Sequence, residues 1–511
     1  MRNFKNFILE IAVFFCGAVV MVYELVGSRV LAPYLGNSIY SWTSLIGVIL
    51  MSLSAGYYLG GRLADRKKAS LEILSVYILI AAVFVTITLM LNTPLLYALE
   101  MGIRYSTFSL GVATFFAAVL LFAPASFFLG MVTPYTVKLK ISSLDHAGQT
   151  VGNLYALSTF GSIFGTFAAG YLLIPFLGTS VLLAVLAISL LAVSVLVAPA
   201  NLKKTFYWPF LAVVLVGIAL FFYLKAGSSP NIVDLDTPYN RFWITENTYG
   251  PAKRPVRWLM NNPFGVQTSI YLDDPSEPVA PYIQLFTLGQ HFTRNPKSIL
   301  LIGGGGFSYA NYHQLTLPET DLDIVEIDSK LTEIAEKYFF FKPSPRIKIY
   351  NEDGRTFINS SSKKYDIILL DAFTSIYSIP YQLTTREAVQ KYSDLLNPDG
   401  VIMVNLIGAF DGDKARFLQA EYRTFASVFP QVYLFQEDKP KTAQAGQAEK
   451  LQGIILLALK SDNKPDFRTE LKYGELLNNL WQEPVKTNLP ILTDDYAPVD
   501  YYLEKIIQDK L

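Results

Sequence analysis

Cysteine is almost absent from this chain. Cys16 stands alone inside an apolar run, which excludes a disulfide framework and a cysteine metal site. Histidine is nearly as scarce: His146, His291 and His313 are too scattered for a zinc cluster, so no metal is expected. Formal net charge is zero, and no basic stripe with interleaved aromatics occurs, so there is no nucleic-acid signature. Long stretches of the first half lack charge altogether. With 511 residues and 52% hydrophobic, the chain is too apolar for one soluble domain and too long for one core. No secretory cleavage site follows the first apolar run, which is therefore expected to be retained as a span.

Apolar runs of spanning length occupy 7–27, 42–61, 71–91, 108–130, 153–175, 179–199 and 206–224. At about 20 residues per crossing they predict an all-α transmembrane bundle of about seven helices in a multi-pass protein of the lipid bilayer. Composition changes near Lys225, where helix-length apolar runs stop. Domains are therefore expected at 1–228 (helical), 229–296 (a β-rich lead-in) and 297–511 (an α/β core). Arg2, Lys5, Arg62, Arg66, Lys67, Lys68, Lys138, Lys140, Lys203 and Lys204 fall in one set of loops, against Arg29, Arg104 and Lys225 in the other. That bias places the N-terminus in the cytoplasm. With seven spans the soluble half would lie outside; one span more or fewer reverses its side.

Glu24, near the end of the first span, is an ionisable group at membrane depth and so a functional candidate. The plain alternative is an interfacial ion pair with Arg29, five residues on. Gly60–Arg66 (GGRLADR) resembles the short loop between the second and third helices of major-facilitator transporters, tied by an Asp–Arg pair. Gly161, Gly165 and Gly170 read as helix-packing glycines.

The soluble half is organised around Ser298–Asp328. Ser298–Ile302 reads as a buried parallel strand, Gly303–Gly306 as a tight turn open to a ligand, and Leu322–Ile327 as a second strand bearing Glu326. A glycine turn followed about 20 residues later by an acid at a strand end is the nucleoside-binding arrangement of a Rossmann-like sheet. Four strands are expected in the lead-in, at Arg241–Thr245, Val256–Met260, Thr268–Leu272 and Tyr282–Phe286. A helix over Leu331–Phe339, capped by Asp328 or Ser329, and strands at Arg346–Tyr350 and Tyr365–Leu370 complete the doubly wound pattern. Glu326, Asp353 and Asp371 then stand at three strand ends, where such sheets bind ligands. Glu326 suits two ribose hydroxyls, and Asp353, with Gly354 behind it, an exocyclic amine. Asp371 suits the reacting end, as a general base for an attacking amine or as the counter-charge of a sulfonium.

LLIGGGG, VEID, EDGRTF and YDIILLDAF, in that order and spacing, resemble the spermidine synthase (polyamine aminopropyltransferase) family. TPYNRFWITE, VQTSIYLDD, IPYQLTTREAV and LTDDYAPVDYYL, with YELVGSRVLAPYLGNS, YYLGGRLADR and VGNLYALSTFGSIFGTFAAGYLLIPFLG in the first half, resemble its membrane-fused branch. The resemblance implies that decarboxylated S-adenosylmethionine, or S-adenosylmethionine itself, is the co-substrate and a small amine the acceptor. It implies nucleoside contacts from Gly303, Gly304, Gly305, Glu326, Asp353, Gly354, Asn240 and Gln267, with Asp371 taking the amine's proton. By analogy with soluble relatives, a homodimer is the expected assembly. The departures are specific. Gly306 and Phe307 stand where the family has an Asp that helps hold the diamine, Thr374 replaces a second Asp, and Tyr282-Ile283-Gln284 replaces Tyr-His-Glu. These losses count against putrescine as acceptor. They leave open a methyltransferase or sulfonium-cleaving enzyme in the same pocket. A transporter or sensor with a nucleoside-binding domain is the non-enzymatic alternative.

Overall fold

A computed structural model describes residues 2–66, 69–105, 107–141, 146–227, 232–263, 265–293, 295–373, 379–437, 447–467 and 473–508. Lys67, Lys68, Thr374 and the boundary expected at 228/229 lie outside them. Two compact units result: Met1–Pro230 with Leu235–Asn240, and Asn231–Asp234 with Arg241–Leu511.

The first unit is helical, with α1 (Arg2–Leu35), α2 (Ile39–Arg66), α3 (Leu71–Arg104), α4 (Leu110–Leu121), α5 (Ala123–Lys140), α6 (Ala147–Ala168), α7 (Thr179–Val197) and α8 (Tyr207–Ala226). Six helices among the described residues are long and apolar enough to cross a membrane, or seven if the bent pair α4–α5 is one span. The fourth run, expected at 108–130, continues to Lys140 and bends by 51°. Pro124 has no N–H to continue the ladder. At the bend the Leu121 carbonyl accepts from the Tyr23 hydroxyl (2.8 Å) and Thr88 Oγ1 (2.6 Å), so side chains satisfy the broken backbone.

The bent pair runs the length of the bundle. α4 starts beside the start of α2, with Ser44 and Thr114 hydroxyls 3.3 Å apart. α5 finishes beside the end of α2 and the start of α1, with Lys138 on Asp65 (2.7 Å) and Lys140 on Glu10. Gly161 and Gly165 bring α6 against the backbone of α1, where a Cβ would lie 2.0 Å from the Phe14 carbonyl oxygen and 2.4 Å from that of Ala18. Gly170 is not a packing glycine, having nothing within 4 Å of its Cβ position. Gly60–Arg66 is likewise helix, the end of α2, and Asp65 pairs with Lys138 of α5.

The second unit opens with β1 (Ile232–Asp236, whose last two residues are grouped with the first unit), β2 (Arg241–Tyr249), β3 (Arg254–Asn262) and β4 (Gly265–Tyr271), hydrogen-bonded in that order. The fourth expected strand is instead a helix, α9 (Pro281–Phe286). Pro281 presets the helical φ at its first turn, and Ile283, Leu285 and Phe286 are buried. The run is short and apolar, a pattern that fits either structure.

The main sheet comprises β5 (Ser298–Ile302), β6 (Asp321–Val325), β7 (Ile347–Tyr350), β8 (Tyr365–Leu370), β9 (Leu396–Gly408), β10 (Gln431–Gln436) and β11 (Gln452–Leu459). Their order is β10-β11-β9-β8-β5-β6-β7, parallel from β9 to β7, with β11 antiparallel to both neighbours. The strands β5 and β8 are nearly all buried apolar residues, as a sheet covered on both faces requires. Strand order reverses between β5 and β8, and the crevice at that reversal is where open α/β sheets take ligands. Three helices on the way matter below: α10 (Ser308–Thr316), α11 (Ser329–Tyr338), capped by Asp328, and α12 (Gly354–Ser360).

Candidate functional site

The turn after β5 and the end of β8 meet at this crevice. Asp371 N donates to the Ile302 carbonyl at 2.8 Å, extending the β5–β8 pairing by one step. Gly303 has φ +96°, and a Cβ there would lie 2.3 Å from the Asp371 carbonyl oxygen. Only glycine fits both the left-handed backbone and the close approach.

Glu326, the first residue past β6, is 6% exposed. Its carboxylate accepts from Gly304 N (2.8 Å), Gly305 N (3.3 Å) and Asp328 N (2.9 Å). Burial pushes its pKa above the ordinary carboxylate range, and these three backbone bonds offset only part of that rise. Three of a carboxylate's roughly four lone-pair sites are thus engaged. The residue therefore shapes the glycine turn as well as facing the crevice. Gln267, on β4, lies next to Gly305, its Nε2 4.0 Å from that glycine's Cβ position. Its Oε1 is buried without a hydrogen-bond partner. A buried amide oxygen left unpaired costs about 1–3 kcal/mol, which a donor on a ligand would recover.

Asp353, past β7, caps α12 by accepting from Thr356 N at 3.0 Å and stays half-buried. Gly354 sets the first turn of α12 against β5, its Cβ position 2.9 Å from Ile302 Cγ2. Asn240 closes a turn with Thr237, whose Oγ1 accepts its N–H at 2.9 Å. It belongs to the first unit, whereas the other nucleoside candidates belong to the second. Glu24 and Arg29 are on α1, and Arg29 donates to the backbone carbonyls of Thr237 and Pro238.

Asp371 has two partners that the sequence reading did not assign to the site. Asn405, on β9, donates Nδ2 to Oδ1 at 2.9 Å, and the Tyr282 hydroxyl from α9 donates as well. Burial pushes the Asp371 pKa up to about 7; the Asn405 and Tyr282 bonds oppose this, and the Glu326 charge adds to it. Tyr282 is itself held well above the ordinary phenol range, by burial first and then by Asp371. Tyr282 carried a signal, as one of the three residues replacing Tyr-His-Glu. Asn405 carried none, since it lies 34 residues beyond the group it binds.

Position 306, which holds an Asp in the family pattern, is closed. A Cβ on Gly306 would lie 2.6 Å from Thr268 Cγ2, and Thr268 is pinned there because its Oγ1 accepts Gly306 N at 2.9 Å. Phe307 follows with φ +62°, a conformation costly for a side chain, and its buried ring packs tilted against Phe341, 4.7 Å between ring centres. Among the described residues no three His, Cys, Asp or Glu side chains group as metal ligands do.

A family model described as the spermine/spermidine synthase domain matches residues 283–436. The polyamine aminopropyltransferase of Vibrio vulnificus (strain CMCP6) is 32% identical over 255 residues, 46% of this chain and 80% of that protein. Polyamine aminopropyltransferase 2 of Aquifex aeolicus (strain VF5) is 20% identical over 416 residues, covering 77% of this chain and 78% of that one. Among solved structures, a probable spermidine synthase from Corynebacterium glutamicum ATCC 13032 aligns with a TM-score of 0.41 at 19% identity. It covers 55% of this chain and 95% of that chain.

Proposed function

Since the chain belongs to the polyamine aminopropyltransferase family, we propose that it is a membrane-embedded enzyme transferring the aminopropyl group of decarboxylated S-adenosylmethionine to an amine. The nucleoside would lie across the ends of β5, β6 and β7. Glu326 faces its ribose, Asp353 and Gly354 its base, and Gln267 supplies the buried oxygen that needs a donor. The amine nitrogen attacks the methylene carbon beside the sulfonium. The C–S bond breaks, its electron pair returns to sulfur, and neutral methylthioadenosine leaves. The new ammonium gives its proton to Asp371. Sulfonium is already a good leaving group, so positioning supplies most of the acceleration. The observation that carries this reading is the junction of Asp371 with the Gly303 turn. It sets a base with a pKa near 7 one backbone contact from the nucleoside turn.

The test is mass spectrometry on the purified full chain, incubated with decarboxylated or intact S-adenosylmethionine, with and without a panel of amines. Methylthioadenosine plus an aminopropylated amine is the expected result. S-adenosylhomocysteine, or methylthioadenosine released without any amine, would replace the reading with methyl transfer or sulfonium cleavage.

The membrane assignment rests on the six or seven apolar helices and on rings presented outward, such as Phe164 (61% exposed) and Tyr223 (76%). Because α4–α5 runs from one end of the bundle to the other, seven crossings are favoured. Lys138 and Lys140 close α5 at the end where α2 finishes in Arg66. The positive-inside rule puts that end in the cytoplasm and the second unit on the opposite side, where its substrates would have to be supplied.

A further inference from the structure

Glu326 and Asp371 directly follow their strands, whereas Asp353 stands beyond a short connection from β7 and opens α12, a helix of seven residues. So short a helix is held by tertiary contacts rather than by its own ladder. Phe357 and Ile358 bury one side of it, and Arg355 fixes its start. A cation in the first turn works against the helix dipole, so its partners must account for its place there. Nη1 donates to the Gln382 carbonyl at 2.9 Å and to Thr385 Oγ1 at 3.0 Å, and Nη2 donates to Asp494 Oδ2 at 2.7 Å. Thr385 Oγ1 in turn donates to Asp494 Oδ1 at 2.6 Å, which closes a ring of arginine, threonine and carboxylate.

Each partner belongs to a different stretch of chain. Gln382 is in the single 3₁₀ turn Tyr381–Leu383, which follows Asp371 in sequence. Thr385 caps α13 (Arg386–Leu395), and Asp494 lies in the turn closed by Thr493 and Tyr496. Two further bonds seat that turn on α13: Arg386 N donates to the Leu492 carbonyl at 2.8 Å, and Asp494 N to Glu387 Oε2 at 3.0 Å. The Tyr392 hydroxyl tethers the 3₁₀ turn a second time, at the Leu383 carbonyl (3.1 Å). Leu383 is buried against the first residue of α12, its Cδ2 3.4 Å from the Cβ position of Gly354. One guanidinium thus locks the helix that presents Asp353 to the turn packed on Gly354. The Asp494 side chain is 47% exposed, and an ion pair so open to water contributes little stability. What the ring provides is position.

We propose that Arg355 is a positioning residue for base recognition: by tying α12 to Gln382, Thr385 and Asp494, it fixes the Asp353 carboxylate where it accepts the amine of an aminopurine and turns away an oxopurine. This assignment rests on the nucleoside reading above and deepens it. An amine N–H donates to the carboxylate, whereas a carbonyl oxygen in its place sets two acceptors face to face. That repulsion carries selectivity only if the carboxylate cannot swing aside. Asp353 Oδ1 accepts from Thr356 N, so the carboxylate moves with the first turn of α12, and Arg355 is the side chain that stops that turn from moving.

The test uses methylthioadenosine and methylthioinosine, which bears an oxo group where the first has its amine. Their binding to the full chain is measured by calorimetry for wild type, Arg355→Gln, Arg355→Lys and Asp494→Asn, with amide exchange over residues 379–385 on the same preparations. Wild type should prefer methylthioadenosine by at least about tenfold. Arg355→Gln should cut that preference to about threefold or less. It should also speed exchange of the Leu383 and Thr384 amides, which bond within the 3₁₀ turn, by at least about tenfold. Asp494→Asn should shift both readouts the same way by less, and Arg355→Lys, which keeps the charge but not the fork, should restore part of the preference. No preference in wild type, equal losses for the two nucleosides in Arg355→Gln, or unchanged exchange would overturn the assignment, because a helix loosened without regard to the base lowers both affinities alike. Wild type binding neither nucleoside would overturn the nucleoside reading and this assignment with it, a result told apart from failure of Arg355 alone because the amide exchange would still respond.

Discussion

Replacing Asn405 with leucine removes the side-chain amide that donates to Asp371, at 2.9 Å, and keeps the branching at Cγ. A hydrogen bond to a charged group contributes about 1.5–3 kcal/mol, and one pKa unit corresponds to about 1.36 kcal/mol, so its loss raises the Asp371 pKa by about 1–2 units. From a starting value of about 7, the variant would titrate near 8–9. Only the carboxylate can accept the proton. At pH 7 the ionised fraction then falls from about half to about 1–10%, a loss of roughly 5- to 50-fold in kcat/KM. Above about pH 9.5 the two enzymes should converge. The assay is the ratio of variant to wild-type kcat/KM across pH 6–10, in which titration of the free amine cancels. A ratio that is constant across the range, whatever its size, would refute the argument, because Asn405 would then act on structure alone.

Three further outcomes follow from the same geometry. Glu326→Gln exchanges a charged acceptor for a neutral amide facing three backbone N–H groups; methylthioadenosine affinity should fall about 10- to 150-fold by calorimetry. Asp371 has a folded pKa of about 7, above its ordinary 3.8, so its charge costs folding free energy increasingly as pH rises from about 4 to 7. Asp371→Asn should therefore raise the thermal midpoint at pH 8, by no more than about 4 kcal/mol of stability, and leave it unchanged at pH 4. For the membrane, single cysteines at exposed Lys253 and Arg66 in a Cys16→Ser background report the sides. A membrane-impermeant maleimide should label Lys253→Cys on intact cells and Arg66→Cys only after permeabilisation, and the reverse pattern would put the second unit in the cytoplasm.

The parts of this protein legible in its sequence are the locally encoded ones. Ser298–Ile302 and Tyr365–Leu370 form strands with the bounds that their apolar runs suggest, and Asp371 follows the second; Glu326, expected within a strand over Leu322–Ile327, stands just past one that ends at Val325. Apart from the short run at Tyr282–Phe286, what was hidden depends on distant chain segments. Tyr282–Phe286 has no periodicity long enough to separate helix from strand, and Pro281 decided it. The bend inside the span expected at 108–130 was hidden because Tyr23 and Thr88, from α1 and α3, satisfy the break at Leu121. Asn405 reaches Asp371 only because β9 assembles beside β8 from a distant part of the chain. The missing acid at 306 was readable, but its cause, the buried Thr268 against the turn, was not.

The central claim is that Asp371 takes the proton of an amine attacking a nucleoside sulfonium held at the Gly303 turn. The most direct measurement is single-turnover formation of methylthioadenosine by Asp371→Asn, with methylthioadenosine affinity determined on the same preparation. Turnover reduced at least a thousandfold with nucleoside affinity within a few-fold of wild type is the outcome expected. Turnover near the wild-type rate, with binding intact, would contradict the account and remove Asp371 from the chemistry.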